Sequence, residues 1–313
     1  MIRKSPSNAD NSQLCGGFFA KIADHIFFLR PLLILPIWAP LLLGYYAAGG
    51  RGVDMDFIIL LVLGILLGGG IYGINQLYDV EGDRLNRKNL PLALGLISRT
   101  AAWAITLFCS VGTLIVAGLL GPITALLTAL GLAMGILYSH PKWRLKDRPW
   151  HALLLNALGH GALVYVIGWS TADTLKWITL LRMLPYAFAY GGVYMATTIP
   201  DIKGDSIVGK RTVSVVFGER IGAAIAFMAI AVATVSSLFL SEPAIFLTGL
   251  FSAPFYIYAA IKGGSRYVAA NKVAVLLLNL WVCFYLYFYI VVLVLVVAMS
   301  RIYYANRLKI RYP

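Results

Sequence analysis

Phe57-Ile-Ile-Leu-Leu-Val-Leu-Gly64-Ile-Leu-Leu-Gly68-Gly69-Gly-Ile-Tyr-Gly73-Ile-Asn75-Gln-Leu-Tyr-Asp79-Val-Glu-Gly-Asp83 joins an uncharged apolar run to a cluster of acids. About 20 apolar residues suffice for a helix to cross a bilayer, and residues 57–78 carry no charge. Gly64, Gly68, Gly69 and Gly73 recur at a spacing that lets helices approach closely, so close packing is the reading for that stripe. At the end of the run, Asn75, Asp79 and Asp83 stand at i, i+4 and i+8. They share one helical face and rise about 6 Å per step.

Working outward, the same kind of run recurs along all 313 residues. The chain is 60% hydrophobic and 12% charged, with mean hydropathy +0.81. A soluble domain would carry about twice that charge, so the fold class is all-α and polytopic in the membrane. About nine spans are expected, near 24–48, 55–79, 100–119, 121–139, 151–170, 176–199, 219–240, 243–262 and 274–300. Together they form one membrane-embedded unit over residues 1–313. Gly121-Pro122 predicts a tight hairpin between the third and fourth spans. Residues 1–20 read as a flexible segment without a cleavable signal peptide, and 301–313 as a basic tail.

The net charge of +13 does not call for nucleic acid. Nineteen of the 26 basic residues fall in loops on one side, where they anchor topology and meet anionic headgroups, against Arg51, Lys176 and Arg182 on the other. The four basic residues of the C-terminal tail land on the wrong side of a nine-span chain. Cys15, Cys109 and Cys283 have no metal spacing and read as inert packing residues. His25, His140, His151 and His160 likewise lack ligand spacing and read as lone interface histidines.

The sixth span ends in a second acidic motif: Pro200-Asp201-Ile-Lys-Gly-Asp205-Ser-Ile-Val-Gly-Lys210. Laid over the first, it reads Asp-[Val/Ile]-x-Gly-Asp-x-[Leu/Ile]-x-x-Lys, which suggests an internal duplication. Four spans separate the motifs, so both helices run the same way and the acids meet at one membrane face. Glu81 and Lys203 point away and are expected in solvent. Mg²⁺ prefers a few carboxylates plus phosphate oxygens, and carboxylates facing each other without a cation repel. Asn75, Asp79, Asp83, Asp201 and Asp205 are therefore the expected Mg²⁺ ligands, with the four acids as the catalytic set. Lys142, Lys146, Arg148, Lys210 and Arg211 fall on the same face, as a metal-bridged diphosphate requires.

These residues resemble the UbiA superfamily of intramembrane prenyltransferases. Asn75, Asp79 and Asp83, followed by Asn86, match its NxxxDxxxD, and Asp201 and Asp205 its DxxxD. Tyr138-Ser-His-Pro-Lys142, running into Arg144-Leu-Lys146-Asp-Arg148-Pro149, is similar to the loop after its fourth helix, and Arg30-Pro31 to its first helix. The wording is nearest the homogentisate-type members, although Leu94-Gly95 departs from the Ser-Gly of many quinone and chlorophyll members. The resemblance implies helices around a central cavity and Mg²⁺-dependent transfer of a prenyl group from a polyprenyl diphosphate to a lipophilic or aromatic acceptor. Asn75, Arg30, Lys142, Lys146, Arg148 and Lys210 would then bind diphosphate, and Tyr78, Tyr138 and Tyr194 would line the substrate or steady an allylic cation, with Tyr165 and Tyr190 nearby. A bacterial inner membrane with the site facing the cytoplasm is expected. A cation-coupled transporter, the alternative, would place its acids near the bilayer midplane.

Overall fold

The computed structural model describes residues 17–85, 88–310 and 312. Arg3, Lys4, Cys15, Asn86, Arg87 and Arg311 lie outside the described residues, as does most of the segment expected to be flexible. The described chain is helical, because only internally bonded backbone survives in hydrocarbon. In order the helices are α1 (Phe18–Phe28), α2 (Pro31–Ala47), α3 (Met55–Leu85), α4 (Arg99–Leu119) and α5 (Pro122–Ser139). The fifth span is α6 (Pro149–Leu155), a π-helical segment (Asn156–Leu163) and α7 (Val164–Trp169). Then follow α8 (Trp177–Arg182), α9 (Leu184–Thr198), α10 (Ile202–Ile207), α11 (Val213–Phe217), α12 (Glu219–Phe239), α13 (Pro243–Lys262), α14 (Arg266–Tyr285) and α15 (Tyr289–Arg307).

Among the described residues, eight helical stretches are long and apolar enough to cross a membrane, and the bent α1–α2 pair makes a ninth. The protein is thus an integral membrane protein of the expected class. The bend of 41° has a local cause. Pro31 disfavours the α region for the residue before it, and Arg30 takes the left-handed region at φ 56°. The break exposes the Phe28 carbonyl, which buried Gln76 caps through Nε2 at 2.8 Å, pinning α3 to the bend. Pro40 lacks the N–H that the Pro36 carbonyl would otherwise receive, and the Tyr190 hydroxyl donates to that carbonyl instead.

The glycine stripe of α3 packs as expected: a Cβ at Gly69 would come within 2.8 Å of Cys109 Sγ on α4. Gly121, at φ 123°, makes the tight α4–α5 turn. Cys109 and Cys283 are free thiols in helices, as expected. Apolar burial between helices gains little when lipid is equally apolar, so close packing and interhelical hydrogen bonds hold the bundle together.

Two expectations about the C-terminal end are corrected. The span expected over 274–300 is two helices that reverse at Leu286–Phe288, and α15 runs to Arg307, well into the expected basic tail. Arg307 of α15 bonds Asp24 of α1 at 2.8 Å, with Tyr303 donating to the same carboxylate at 2.8 Å. Lys272, near the start of α14, sits over the Tyr312 ring. The start of α1 and the end of α15 therefore share one face, which removes the wrong-side tail.

Candidate active site

Helix α3 is 31 residues long, about 46 Å, against a hydrocarbon core of about 30 Å. Its last turns overhang the membrane, and the first motif rides on them. Asn75 Nδ2 donates to Ser139 Oγ at 3.3 Å. Asp79 takes the ammonium of Lys146 at 2.5 Å, and buried Asp83 takes Lys88 at 2.8 Å. Glu81 is exposed and pairs with Arg84, as its position away from the motif face requires.

Lys146 reaches Asp79 because its loop is folded inward. Arg144, at φ 40°, turns the chain, its Nε meets Asp147 Oδ2 at 2.6 Å, and Leu145–Asp147 forms a single 3₁₀ turn. That turn leaves Lys146 only 4% exposed. Burial pulls its pKa below the ordinary value, while Asp79 works in the opposite direction.

The second motif does not end the sixth span, as expected, but forms its own short helix after a break at Pro200. Asp201 stands at the N-cap position of α10 with its carboxylate uncommitted to the helix, and Asp205 N–H donates to the Asp201 carbonyl at 2.8 Å. The two aligned segments share a local geometry. Lys210 N–H donates to the Asp205 carbonyl at 2.9 Å, and its ammonium meets the Asp205 carboxylate at 3.2 Å. Lys88 does the same to Asp83, at 2.9 Å and 2.8 Å. Each motif is thus an acid closed by the lysine five residues on. Lys88 stood in the aligned repeat but not among the expected binding residues.

The motifs face one another. Lys210 feels Asp79 as well as Asp205; burial opposes its charge, but the two acids outweigh it and raise its pKa. Enclosure, and then Asp205, raise the Asp201 carboxyl above its ordinary value, with Lys88 and Lys210 pulling back. Both motifs can sit on one face only if α8 and α9, joined through Met183 alone, carry the chain across the membrane as a tenth crossing beside the nine stretches above. That even number also agrees with the shared face of the α1 start and the α15 end. Between the motifs, Tyr138 and Tyr194 interact with each other; Tyr138 is also coupled to Asp79 and Lys210, and Tyr194 to Asp205.

Other candidates are placed differently. The Tyr78 ring packs against Trp103 and His140 rather than lining the cleft. Tyr165 donates to Glu242 at the opposite face. Lys142 and Arg148 are exposed at the rim, with Lys142 beside Trp143. Arg30 sits at the α1–α2 bend with its guanidinium 6.0 Å from the Tyr72 ring, two turns deeper than Asp79. His160 is not at an interface: it meets Tyr72 and Tyr190 in the interior.

Among the described residues no three acids, histidines or cysteines converge to hold a metal by themselves. The donor set nonetheless fits Mg²⁺, which takes one or two carboxylates and leaves positions for phosphate oxygens. A second observation agrees: Asp147 Oδ1 is buried without a hydrogen-bond partner beside the cleft, an oxygen open to a cation. Sequence reasoning passed over Asp147 because it lies in neither motif.

Residues 37–272 match the UbiA prenyltransferase family. The homogentisate phytyltransferase of Synechocystis sp. is 31% identical over 62% of this chain and 68% of its own length. The chloroplastic 2-acyl-4-prenylphloroglucinol 6-prenyltransferase of Humulus lupulus is 33% identical over 48% of this chain and 39% of its own. The chain spans less than half the length of such plant relatives. In fold it is similar to a UbiA homologue from Archaeoglobus fulgidus solved with DMAPP and Mg²⁺. The TM-score is 0.68 at 20% identity, covering 82% of this chain and 96% of that one.

Proposed function

The chain belongs to the UbiA prenyltransferase family, and on that premise we propose that it transfers a prenyl group from a polyprenyl diphosphate to a hydroxylated aromatic acceptor, releasing diphosphate. The observation that carries this reading is the matched pair of acid–lysine loops, Asp83–Lys88 and Asp205–Lys210, facing one another with Asp79–Lys146 between them. Three ammonium groups and four carboxylates around one cleft suit a metal-bridged diphosphate and little else.

Asn75, Asp79, Asp83, Asp201 and Asp205 would hold Mg²⁺, with Asp147 Oδ1 an additional oxygen. Bound there, the ion would supply Lewis-acid neutralisation of the leaving diphosphate. The chain's own part is electrostatic. Lys88, Lys146 and Lys210 lie where they can donate charge-assisted hydrogen bonds to phosphate oxygens. Preorganised donors of this kind stabilise charge as it builds on the leaving oxygen. Lys142 and Arg148 at the rim and Arg30 at the bend extend the positive field. Tyr138 and Tyr194, coupled to both motifs, would supply the aromatic rings that steady a developing allylic cation.

The acceptor class follows the relatives, whose names specify homogentisate and an acylphloroglucinol, both hydroxylated benzene rings. The basic motif face supports a site open to the cytoplasm, in a bacterial inner membrane. The transporter alternative gains no support, since the acids sit at span ends beside basic loops rather than at midplane.

The test offers purified protein geranylgeranyl, phytyl and longer diphosphates with Mg²⁺ and a panel of hydroxylated rings, with mass spectrometry of the products. A ring carrying one added prenyl group is the expected result. Intact diphosphates throughout, in protein shown to be folded, would reject the reading.

A further inference from the structure

The span of α6 and α7 is interrupted by eight π-helical residues, Asn156-Ala-Leu-Gly-His-Gly-Ala-Leu163. Such segments are uncommon and often mark functional sites. Glycine on either side of His160 lets two helices close on it. A Cβ at Gly159 would come within 3.0 Å of the Met134 methyl on α5. One at Gly161 would meet the Tyr186 carbonyl and approach Tyr190 Cβ at 3.0 Å on α9. The widened turn and the two close contacts direct the imidazole inward.

There its hydrogen bonds fix the tautomer. Tyr72 has one hydroxyl proton, which goes to the Leu33 carbonyl at 3.0 Å. The Tyr72 oxygen lies 3.4 Å from His160 Nε2, so in the neutral ring Nε2 carries the proton and donates it. Nδ1 is left with its lone pair and bonds no described residue. The nearest ring is Tyr190, 5.2 Å away between centroids, and its hydroxyl is committed to Pro36.

Tyr72, Tyr138, His160 and Tyr194 are each only half-buried, so none is closed off by its neighbours. Tyr72 lies seven residues before Asp79, about 10 Å along the helix. His160, in contact with Tyr72, therefore lies about two helical turns from the acids.

We propose that His160 Nδ1 is the base that takes the ring proton of the aromatic acceptor, which binds between Tyr72, Tyr190 and the acidic motifs. The assignment rests on the prenyl-transfer reading. In that reaction the prenyl C1–O bond breaks and its electron pair leaves on diphosphate. A π pair of the acceptor ring forms the new C–C bond to C1. The proton on that ring carbon passes to Nδ1, and the C–H pair returns to the ring and restores aromaticity. Nε2–H stays on Tyr72 throughout and steadies the imidazolium, which returns its proton to water through the motif end.

The test is H160Q, which keeps an N–H near Tyr72 but has no basic nitrogen, assayed with geranylgeranyl diphosphate, Mg²⁺ and ring-deuterated homogentisate. Affinity for the prenyl diphosphate is expected to stay at the wild-type value. The kcat for ring product should fall by about 100-fold or more, the usual size of general-base catalysis. A primary deuterium isotope effect should appear on kcat, because removal of the ring proton becomes limiting. H160Q that forms ring product at the wild-type rate overturns the assignment. So does a variant whose activity and diphosphate affinity fall together without an isotope effect, which is the mark of a purely structural role. No ring product from wild-type enzyme with any hydroxylated ring overturns the prenyl-transfer reading, and this assignment with it.

Discussion

Replacing Asp79 by Asn keeps the shape of the side chain but removes the carboxylate that holds Lys146 at 2.5 Å. Breaking one partner of a buried pair costs about 3–5 kcal/mol. Lys146 is 4% exposed and cannot reach water without unfolding its loop. It has one escape, which is to shed its proton. Burial already draws its pKa below 10.5, and Asp79 is the first group opposing that trend. Deprotonating an ordinary lysine costs about 4 kcal/mol at pH 7.5 and about 2 kcal/mol at pH 9. The penalty of D79N is therefore capped at those values. The sign follows from proton counts: the unfolded variant binds a proton that the folded variant has released, so stability rises with pH. The gap to wild type should close between neutral pH and about pH 10. Asp79→Ala carries the same cost. Reversible unfolding in mixed detergent and SDS, repeated from pH 7 to pH 9.5, measures it. The double variant D79N/K146M should recover most of the stability and none of the transfer. D79N as stable as wild type at pH 7.5, or equally unstable at every pH, would refute the reasoning.

Three further outcomes follow from the same contacts. K88M and K210M each remove one charge-assisted donor, so each should raise KM for the prenyl diphosphate by about 10-fold or more. The two effects should be similar in size, because the two loops have the same geometry. Asp24→Ala removes the buried carboxylate that accepts from both Tyr303 and Arg307 and should cost about 3 kcal/mol. Its readout is proteolytic release of α15, and exchanging the charges at 24 and 307 should restore part of the loss. Cysteines placed at 17 and 312 should react with an impermeant thiol reagent from the same side of the membrane, and one at 287 from the other.

Most of the fold was legible because span length and hydropathy depend on the bilayer rather than on tertiary contacts. The motif helix of α3, the Gly121-Pro122 hairpin and the duplicated acids all carried local signals. The division of 274–300 did not. Its turn, Leu286-Tyr-Phe288, holds no Gly, Pro or polar residue, so the two helices read as one apolar run. The start of α14 was hidden in the opposite way. Arg266, Asn271 and Lys272 look like loop residues, although Tyr267, Ala270 and Asn271 are buried. The acids and lysines of the site were visible as types and spacings. Which lysine closes on which acid depended on a left-handed Arg144 and on the i+5 loops, and neither has a composition signature. Asp24 and Arg307 meet across 283 positions, beyond the reach of any local pattern. His160 looked like an isolated polar residue because nothing in its neighbourhood reveals that a π segment turns it inward.

The decisive measurement is binding of a non-cleavable geranylgeranyl thiodiphosphate to purified protein with and without Mg²⁺, compared in wild type, D83N and D205N. If the two acid–lysine loops are halves of one diphosphate site, wild type binds only with Mg²⁺, and each single variant loses affinity by a similar factor. Undiminished Mg²⁺-dependent binding in either variant would show that its loop takes no part in the site.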